Sequence, residues 1–553
     1  MNKKRVLLMS EAHYLNSGFG TYANELLTRL HKTGKYELAE FASYGRIDAV
    51  KNKDVSWLFY GNLPEDNNKP ETDTYNSHAA HQFGIWRFEK VCLDFKPDIV
   101  LCYRDPWMDN WLQQSPLRKY FHWVWMPTVD SAPQRQEWIN VFAECDAILT
   151  YSEFGGEVLK NQGKERINYI GCASPGIDPK IYKPIPKNDI RDELGLDRDC
   201  FIVGTVMRNQ KRKLFFELMK SFRLFLDKAP YEISSKTFLY LHTSYPEKIG
   251  WNIAEGIMEN NLGGKVLMTY ICRNCHRFFP YMFQDALAKC KFCGQFSAVC
   301  PTVALGLSIP DLAKIYNAFD IYVQYAICEG FGMPQVEAGA CGVPVAATDY
   351  SAMRDVVRFT KGYPIPVRTF FREMETNAER AYPDNEVLAE ILTNFFKQDD
   401  SSRIKKSMEV RKHTIKRYNW NDTAKVWEDY IDSYQPIGLQ GKWNAPAQIT
   451  QVPEKIPENL SKEQFIQWLF FSVLQEPERI NKIEGINLFR SLKFSAHMGV
   501  GTLEPVNIAN IFTEYKQRAI SKNQAESLRV GNPAMIPDKF IIQAHERVKK
   551  QQA

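Results

Sequence analysis

Two glutamates flank a glycine-rich turn in the sequence Glu329-Gly-Phe-Gly-Met-Pro-Gln-Val-Glu337, with seven residues between them. Apolar stretches precede and follow this segment, which predicts a strand, a turn, a helix and a second strand. Backbone N–H groups at the start of such a helix attract phosphate, and carboxylates accept hydrogen bonds from sugar hydroxyls. The segment therefore suits a phosphorylated sugar, although an ordinary turn with Glu337 facing water would have a similar pattern.

Two further loops contain residues suited to phosphate. The first, residues 16–22, has Gly18 and Gly20 between a predicted strand and helix, so it either presents backbone N–H groups to phosphate or simply forms a tight turn. The second, residues 207–213, places Arg208 and Lys213 between a strand and a helix, where doubly wound sheets bind ligands. Cations there would neutralise a departing diphosphate, unless they are only a solvated charge run.

The cysteines include two C-x2-C pairs with fourteen residues between them, at Cys272, Cys275, Cys290 and Cys293. This spacing is typical of a zinc ribbon with four thiolate ligands. Because four protein ligands leave no open coordination position, we expect the Zn²⁺ to be structural.

Basic and aromatic side chains are interleaved with these cysteines, at Arg273, Arg277, Phe278, Phe279, Tyr281, Lys289, Lys291 and Phe292. Such a set suits the phosphates and unstacked bases of a nucleic acid. The aromatic side chains could instead pack the small core of the ribbon, and the sequence favours this second interpretation.

The length of 553 residues exceeds what one core normally supports. Alternating strands and helices predict an α/β protein with two Rossmann-like doubly wound domains, residues 1–175 and 176–435, and the zinc ribbon inserted at about 270–302. Residues 436–460, rich in Pro, Gly, Gln and Asn, predict a linker, and residues 461–553 a mainly helical extension. From residue 436 onward there are 15 Lys and Arg against 11 Asp and Glu, which accounts for +4 of the net charge of +5.

The composition, with 44% hydrophobic and 24% charged residues, is that of a soluble globular protein. No stretch approaches the roughly 18 to 20 apolar residues that a membrane span needs. Most other cysteines lie singly within apolar stretches, which favours reduced, buried thiols and a cytoplasmic location. The mild positive charge permits an anionic partner without requiring one.

Taken in order, these segments resemble glycosyltransferase family 4 over roughly residues 5–435. The motifs that carry the resemblance are the Gly18 loop, Thr150-Tyr-Ser-Glu-Phe-Gly-Gly156, Ser174-Pro-Gly-Ile-Asp178, Gly204-Thr-Val-Met-Arg208 with Lys213, and Glu329 to Glu337. The resemblance implies the GT-B fold, in which two domains face a cleft. It also implies a retaining hexosyl- or pentosyltransferase whose expected donor is a uridine diphosphate sugar.

By the same resemblance, the donor is bound by Gly18, Gly20, Arg208, Lys213, Phe331, Gly332, Met333 and Glu337. Arg208 and Lys213 would bind the phosphates, and Gly20 would offer them a main-chain N–H. Glu337 would hold the ribose hydroxyls, and Glu329 would contact the transferred sugar. No catalytic metal is expected, because cationic side chains and a helix dipole stabilise the leaving phosphate.

The chain departs from the family where a histidine is usual, near Met126-Pro-Thr-Val-Asp130. Asp130 would then join Arg208, Lys213 and Glu329 as a catalytic residue, acting near the sugar or the acceptor. It could equally cap the next helix.

For the acceptor, the ribbon and the basic extension favour a hydroxymethylated base in DNA, and the chain is similar overall to phage-encoded relatives. A cell-surface glycan or lipid-linked sugar is the alternative, for which an amphipathic lysine-rich patch would be expected. A third possibility is a non-catalytic nucleic-acid- or protein-binding module on a transferase scaffold. The sequence says nothing of the oligomeric state.

Overall fold

The computed structural model describes residues 3–46, 48–49, 55–115, 117–302 and 305–435. The predicted linker at 436–460 and the predicted helical extension at 461–553 lie outside the described residues. Among the helices that are described, none is both long and apolar enough to cross a membrane.

The first half is a parallel sheet covered by helices. Its strands are β1 Lys4–Glu11, β2 Tyr36–Ser43, β3 Leu58–Gly61, β4 Ile99–Cys102, β5 His122–Trp125, β6 Ala147–Thr150 and β7 Tyr169–Cys172. Its helices are α1 Gly18–Lys32, α2 Lys69–Asn76, α3 Phe88–Phe95, α4 Pro106–Asp109, α5 Gln136–Ala143 and α6 Glu153–Gly163. The strand order β3-β2-β1-β4-β5-β6-β7 contains the order 3-2-1-4-5-6 of doubly wound nucleotide-binding folds.

The second half contains the remaining elements. Its strands are β8 Phe201–Val206, β9 Thr237–His242, β10 Val266–Cys272, β11 Phe278–Met282, β12 Ala288–Lys289, β13 Phe296–Val299, β14 Ile321–Gln324, β15 Val345–Thr348, β16 Tyr363–Ile365, β17 Val367–Arg372 and β18 Glu379–Pro383. Its helices are α7 Lys187–Leu194, α8 Phe215–Lys228, α9 Tyr231–Ser234, α10 Ile253–Glu259, α11 Ile309–Ala318, α12 Met333–Ala340, α13 Ser351–Phe359, α14 Asn385–Lys397, α15 Asp400–Arg417 and α16 Trp420–Ser433.

The second sheet repeats the topology of the first. Its parallel part runs β10-β9-β8-β14-β15-β16, which is again 3-2-1-4-5-6 when only these parallel strands are numbered in chain order. The prediction of two Rossmann-like α/β units is therefore confirmed at the level of the fold.

The cysteine-containing insertion grows from the edge of this sheet. Strand β10 pairs in parallel with β9 through residues 266–268, and in antiparallel fashion with β11 through residues 267–271 and with β13 through residues 271–272. Strand β12 then pairs with β13. The two C-x2-C pairs lie in the turns that follow β10 and β12.

Helix α16 returns to the first half after the second sheet is complete. The Lys4 ammonium donates to the carbonyls of Ile431 and Asp432 at the end of α16, the second at 3.2 Å. The indole N–H of Trp427 donates to the Tyr22 hydroxyl of α1 at 2.7 Å. The predicted domain bounds at 175 and 435 stay predictions, and these contacts show that the chain crosses between the halves again before residue 435.

Candidate functional site

The two loops predicted to bind phosphate and sugar meet at the switch point of the second sheet, where β8 and β14 are neighbours. Lys213 and Ala326 form an isolated antiparallel bridge between these loops. The backbone N–H of Ile327 donates to the carbonyl of Arg212 at 3.0 Å. The sheet order and these bonds together bring Lys213 beside Glu329.

Glu329 is the centre of the resulting cluster and is only 5% exposed. Its carboxylate accepts hydrogen bonds from the Gln324 amide at 2.7 Å and from the Arg212 guanidinium at 2.9 Å, and it also contacts the Lys213 ammonium. Its backbone N–H donates to the Ser351 hydroxyl at 3.0 Å. The carboxylate is thus held by groups from two segments, and the backbone of Glu329 by a third.

Lys213 is buried, and this burial, together with the neighbouring Arg212 charge, lowers the pKa of its ammonium well below the usual value. The carboxylate of Glu329 supplies the opposite charge at contact distance. A diphosphate arriving at this loop would supply further negative charge and hold the lysine protonated.

Arg208 lies in the same loop, but its side chain is exposed and separate from Glu329. Its nearest carboxylate is that of Glu247, 3.8 Å from the guanidinium Nε. Glu247 itself accepts a hydrogen bond from the Ser244 hydroxyl at 2.7 Å. The Asn209 amide exchanges two hydrogen bonds with the backbone of Trp251, which fixes the loop against the segment after β9.

Glu337 lies on α12 and is buried. Its carboxylate accepts a hydrogen bond from the Tyr316 hydroxyl at 2.6 Å, and Tyr182 donates a second one. Burial raises the pKa of the Glu337 carboxyl, and the two tyrosine hydroxyls partly oppose this shift. Ribose hydroxyls would compete with these tyrosines for the same oxygens.

The turn before α12 is built on glycines. Gly332 has a φ of 87°, in the left-handed region, and a Cβ there would lie 2.3 Å from the Gln335 amide nitrogen. A Cβ at Gly330 would lie 2.3 Å from the Thr128 methyl carbon of the first half. This turn therefore approaches the first half so closely that Gly330 leaves no room for a side chain.

The first glycine loop lies on the other side of the same turn. A Cβ at Gly18 would be 3.6 Å from the sulfur of Met333, so these two predicted donor-binding residues face each other between the halves. Gly20 lies in the first turn of α1, and its N–H donates to the Ser17 hydroxyl at 3.0 Å. The N–H that the resemblance assigns to phosphate therefore already has a capping acceptor. Phe331 packs against Tyr418 with ring centroids 5.5 Å apart.

Asp130 faces the second half rather than the next helix, because the N-cap of α5 is Arg135. The capping alternative is therefore wrong. One carboxylate oxygen accepts from the Arg380 guanidinium at 3.0 Å, and the other from the Cys328 thiol at 3.2 Å. Arg380, on β18, thus joins Asp130 to the residue that precedes Glu329.

Four partners of the predicted residues were not identified from the sequence: Arg212, Gln324, Tyr316 and Arg380. Arg212 belongs to the basic run that was identified, and Gln324 is a polar residue within an apolar strand. The sequence could therefore have identified both residues as candidates for the site. Tyr316 and Arg380 gave no such signal.

The four cysteines of the insertion form one compact group, with all sulfur atoms within 4.8 Å of one another. The sulfurs of Cys272 and Cys293 are 3.6 Å apart, as are those of Cys275 and Cys290. A tetrahedral Zn²⁺ with bonds of about 2.3 Å would hold its sulfurs about 3.8 Å apart.

Backbone N–H groups in both turns point at these sulfurs. The N–H of Cys275 donates to the Cys272 sulfur at 3.4 Å, and that of Phe292 to the Cys290 sulfur at the same distance. Such bonds stabilise thiolates. The cluster could therefore bind a metal ion, and four thiolates suit Zn²⁺.

A protein-family model matches the segment of the sequence that contains Glu329 and Glu337. Residues 302–369, which include the Glu329 turn and α12, match the model described as glycosyl transferases group 1. Two curated relatives are D-inositol 3-phosphate glycosyltransferases. The protein from Stackebrandtia nassauensis is 23% identical over 39% of this chain, and that from Thermobispora bispora is 24% identical over 35%. The chain spans 42% and 37% of the length of these relatives.

Solved structures extend the likeness to most of the chain. Sucrose-phosphate synthase from Thermosynechococcus elongatus covers 78% of this chain and 100% of its own, with a TM-score of 0.55 at 16% identity. HepE from Anabaena, in complex with UDP-glucose, has the same coverage, with a TM-score of 0.54 at 13% identity. At such identities the likeness concerns the fold. The chain shares the α/β GT-B fold of these proteins.

Proposed function

We propose that this protein is a retaining glycosyltransferase that moves a sugar from a uridine diphosphate sugar to a hydroxyl group. The observation that carries the proposal is the cluster in which Glu329 contacts Lys213 and Arg212 at the switch point of the second sheet. Its location, opposite the Gly18 loop, suits a donor that spans the two halves.

In this proposal, Lys213, Arg212 and Arg208 bind the diphosphate and stabilise its charge as it leaves. Glu337 accepts hydrogen bonds from the ribose hydroxyls, and Glu329 from the transferred sugar. The bond between the anomeric carbon and the diphosphate oxygen breaks as the bond to the acceptor oxygen forms. The leaving phosphate takes the acceptor's proton on the same face, so the configuration is retained without a separate base.

For the acceptor, we propose a hydroxymethylated base in DNA. The insertion supports this choice, because residues 272–300 contain four Lys or Arg and one acidic residue, Asp285.

Asp130 is held by Arg380 and Cys328. We therefore assign it to positioning the loop before Glu329, in addition to any contact with the acceptor.

The test is a donor and acceptor panel. The purified chain is incubated with several uridine diphosphate sugars and either hydroxymethylated DNA or DNA of the same sequence without hydroxymethyl groups, and products are read by mass spectrometry. We expect one hexose or pentose added per modified base, and only with the hydroxymethylated substrate. A chain that binds no uridine diphosphate and releases none from any donor would instead be a non-catalytic binding module.

A second acceptor class, a cell-surface glycan or lipid-linked sugar, is favoured by one observation on α15. Ile404 and Met408 lie one turn apart and are 58% and 69% exposed, with Lys405 and Lys412 exposed beside them. A basic helix face with apolar residues suits an anionic membrane surface. Transfer to a lipid-linked sugar in the same panel, without transfer to DNA, would select this class.

We also propose that Cys272, Cys275, Cys290 and Cys293 hold one structural Zn²⁺. The insertion is too small to bury a core of its own, so a metal would supply the cross-link that keeps its two hairpins together. Elemental analysis of the purified chain should find about one zinc per protein. A clear substoichiometric value after metal-replete expression would contradict the assignment.

A further inference from the structure

The insertion exposes aromatic rings that its own core does not use. Phe279 is buried and packs edge-on against Phe292, with ring centroids 5.9 Å apart. Phe292 is nevertheless 38% exposed, and Phe296 on β13 is 68% exposed. The packing interpretation of the sequence therefore holds for Phe279, whereas Phe296 contributes little to the mini-core.

A cation lies over the Phe292 ring and another lies near the Phe296 ring. The guanidinium carbon of Arg277 lies 3.6 Å from the centroid of the Phe292 ring. Lys289 is the cross-strand neighbour of Phe296, and its ammonium lies 5.9 Å from that ring's centroid. We call these four residues, Arg277, Lys289, Phe292 and Phe296, the ribbon face.

The cations of the ribbon face have no carboxylate partner within the described part of the chain. No described carboxylate forms an ion pair with Arg277, Lys289 or the nearby Arg273, all of which are exposed. Lys291 differs, because its ammonium donates to the carbonyl of Leu194 at 2.9 Å and so anchors the insertion to α7. Lys291 therefore attaches the insertion to α7, whereas Arg273, Arg277 and Lys289 are accessible to an anionic partner.

The combination of exposed phenyl rings and nearby cations fits some classes of anionic partner better than others. Exposed phenyl rings next to cations match the alternation of bases and phosphates in a single strand, where a ring stacks on a base and a cation meets a phosphate. A paired duplex hides its bases' faces, and a membrane surface would need a wider apolar face than two rings. The pairing of one ring with one cation, twice, fits a single-stranded nucleic acid best.

We propose that the ribbon face binds single-stranded nucleic acid, with a base stacked on Phe296 and phosphates at Arg277 and Lys289. Binding of nucleic acid by the ribbon face does not depend on the proposed transferase function. The role that we assign to this binding, docking a polynucleotide acceptor outside the donor site, does rest on that function.

The experiment measures binding of a fluorescent thymine oligonucleotide to the full-length, metal-loaded chain by anisotropy over a range of salt. We expect Phe296→Ala to weaken binding about ten-fold, because one stacked base is lost. The double change Arg277→Gln with Lys289→Gln should lower the slope of log affinity against log salt by about 1.4, since each phosphate contact on a single strand contributes about 0.7. Zinc content of each variant checks that the insertion is intact.

Matched controls are Tyr231→Ala, an exposed aromatic residue on α9, and Lys220→Gln, an exposed cation on α8. Equal losses in these controls would show that binding is not specific to the ribbon face and would overturn the proposal, as would ribbon-face variants that bind like the unaltered chain. Ribbon-dependent binding to phosphatidylserine vesicles without oligonucleotide binding would overturn it as well. Ribbon-dependent oligonucleotide binding by a chain that turns over no donor would uphold this proposal and refute the transferase function.

Discussion

Replacing Glu329 by glutamine should separate nucleotide binding from sugar transfer. In the structure the Glu329 carboxylate faces the Arg212 guanidinium at 2.9 Å and contacts the Lys213 ammonium. Glutamine keeps the size of the side chain but removes the charge. The buried lysine would then lack its counter-charge, whereas Arg212 is partly exposed and is compensated by water.

The size of the effect follows from the burial of Lys213. Removing one partner of a buried ion pair typically destabilises a protein by about 3 kcal/mol or more. The loss is limited to about 4.6 kcal/mol at neutral pH, because a lysine with a reference pKa near 10.4 can release its proton at about 1.36 kcal/mol per pH unit. We therefore expect Glu329→Gln to lower the free energy of unfolding by about 3 kcal/mol, measured by urea denaturation.

The pH dependence of this loss has a definite sign. Because the pKa of Lys213 in the folded protein is lowered, the unfolded chain binds more protons between that pKa and the reference value. Stability must rise with pH across this window, and more steeply in Glu329→Gln than in the unaltered chain. The difference in free energy of unfolding between Glu329→Gln and the unaltered chain should therefore decrease as the pH rises from 7 towards about 10.

Ligand binding should respond in the opposite direction to stability. Uridine diphosphate can replace the missing negative charge, so Glu329→Gln should bind it about ten-fold more tightly than the unaltered chain does, while transfer of the sugar falls steeply. Calorimetry with uridine diphosphate and a product assay measure the two effects. Glu375→Gln, which disrupts only the exposed pair with Lys211, is the control and should change neither. Weaker binding of the diphosphate to Glu329→Gln would refute this account of the cluster.

Three further changes test the remaining parts of the site. Glu337→Ala should weaken donor binding about ten-fold by calorimetry, through loss of charge-assisted hydrogen bonds, and leave the zinc content unchanged. Cys290→Ser should reduce the zinc content and the thermal stability, whereas Cys172→Ser, outside the cluster, should retain the metal. Gly330→Ala places a Cβ 2.3 Å from the Thr128 methyl carbon. It should lower the free energy of unfolding by about 1 to 3 kcal/mol and reduce sugar transfer. Adding Thr128→Gly should restore both, and no recovery in the double variant would mean that the clash is not the cause.

The sequence predicted the elements of the parallel sheets well, because buried parallel strands are continuous apolar runs. Strand β1, Lys4–Glu11, is such a run, with five buried residues in succession. The two glycines predicted to lie between this strand and the next helix are instead inside helix α1, which begins at Gly18 because Ser17 caps it. The β17–β18 hairpin was missed, since its exposed residues form no apolar run.

The site was predicted less completely than the fold, for a physical reason. Spacing along the chain identifies groups on one loop, such as Arg208 and Lys213, but not the partners that the sheet order brings from elsewhere. Tyr316 reaches Glu337 from a different helix, and Arg380 reaches Asp130 across 250 residues of sequence. These contacts depend on how β8, β14 and the β17–β18 hairpin lie next to each other.

Those partners also bear on how a donor would be selected. Glu329 and Glu337 both accept hydrogen bonds within the protein, so a bound nucleotide sugar competes with these donors for the acceptor sites of each carboxylate. The net gain of each exchange is small unless the ligand offers better geometry or more charge. A deoxynucleotide, which lacks one of the two ribose hydroxyls, would form fewer hydrogen bonds to Glu337 and gain less there. Selectivity for a ribonucleotide donor over its deoxy analogue should therefore depend on Tyr316, and Tyr316→Phe should increase the affinity for the ribonucleotide more than that for the deoxynucleotide.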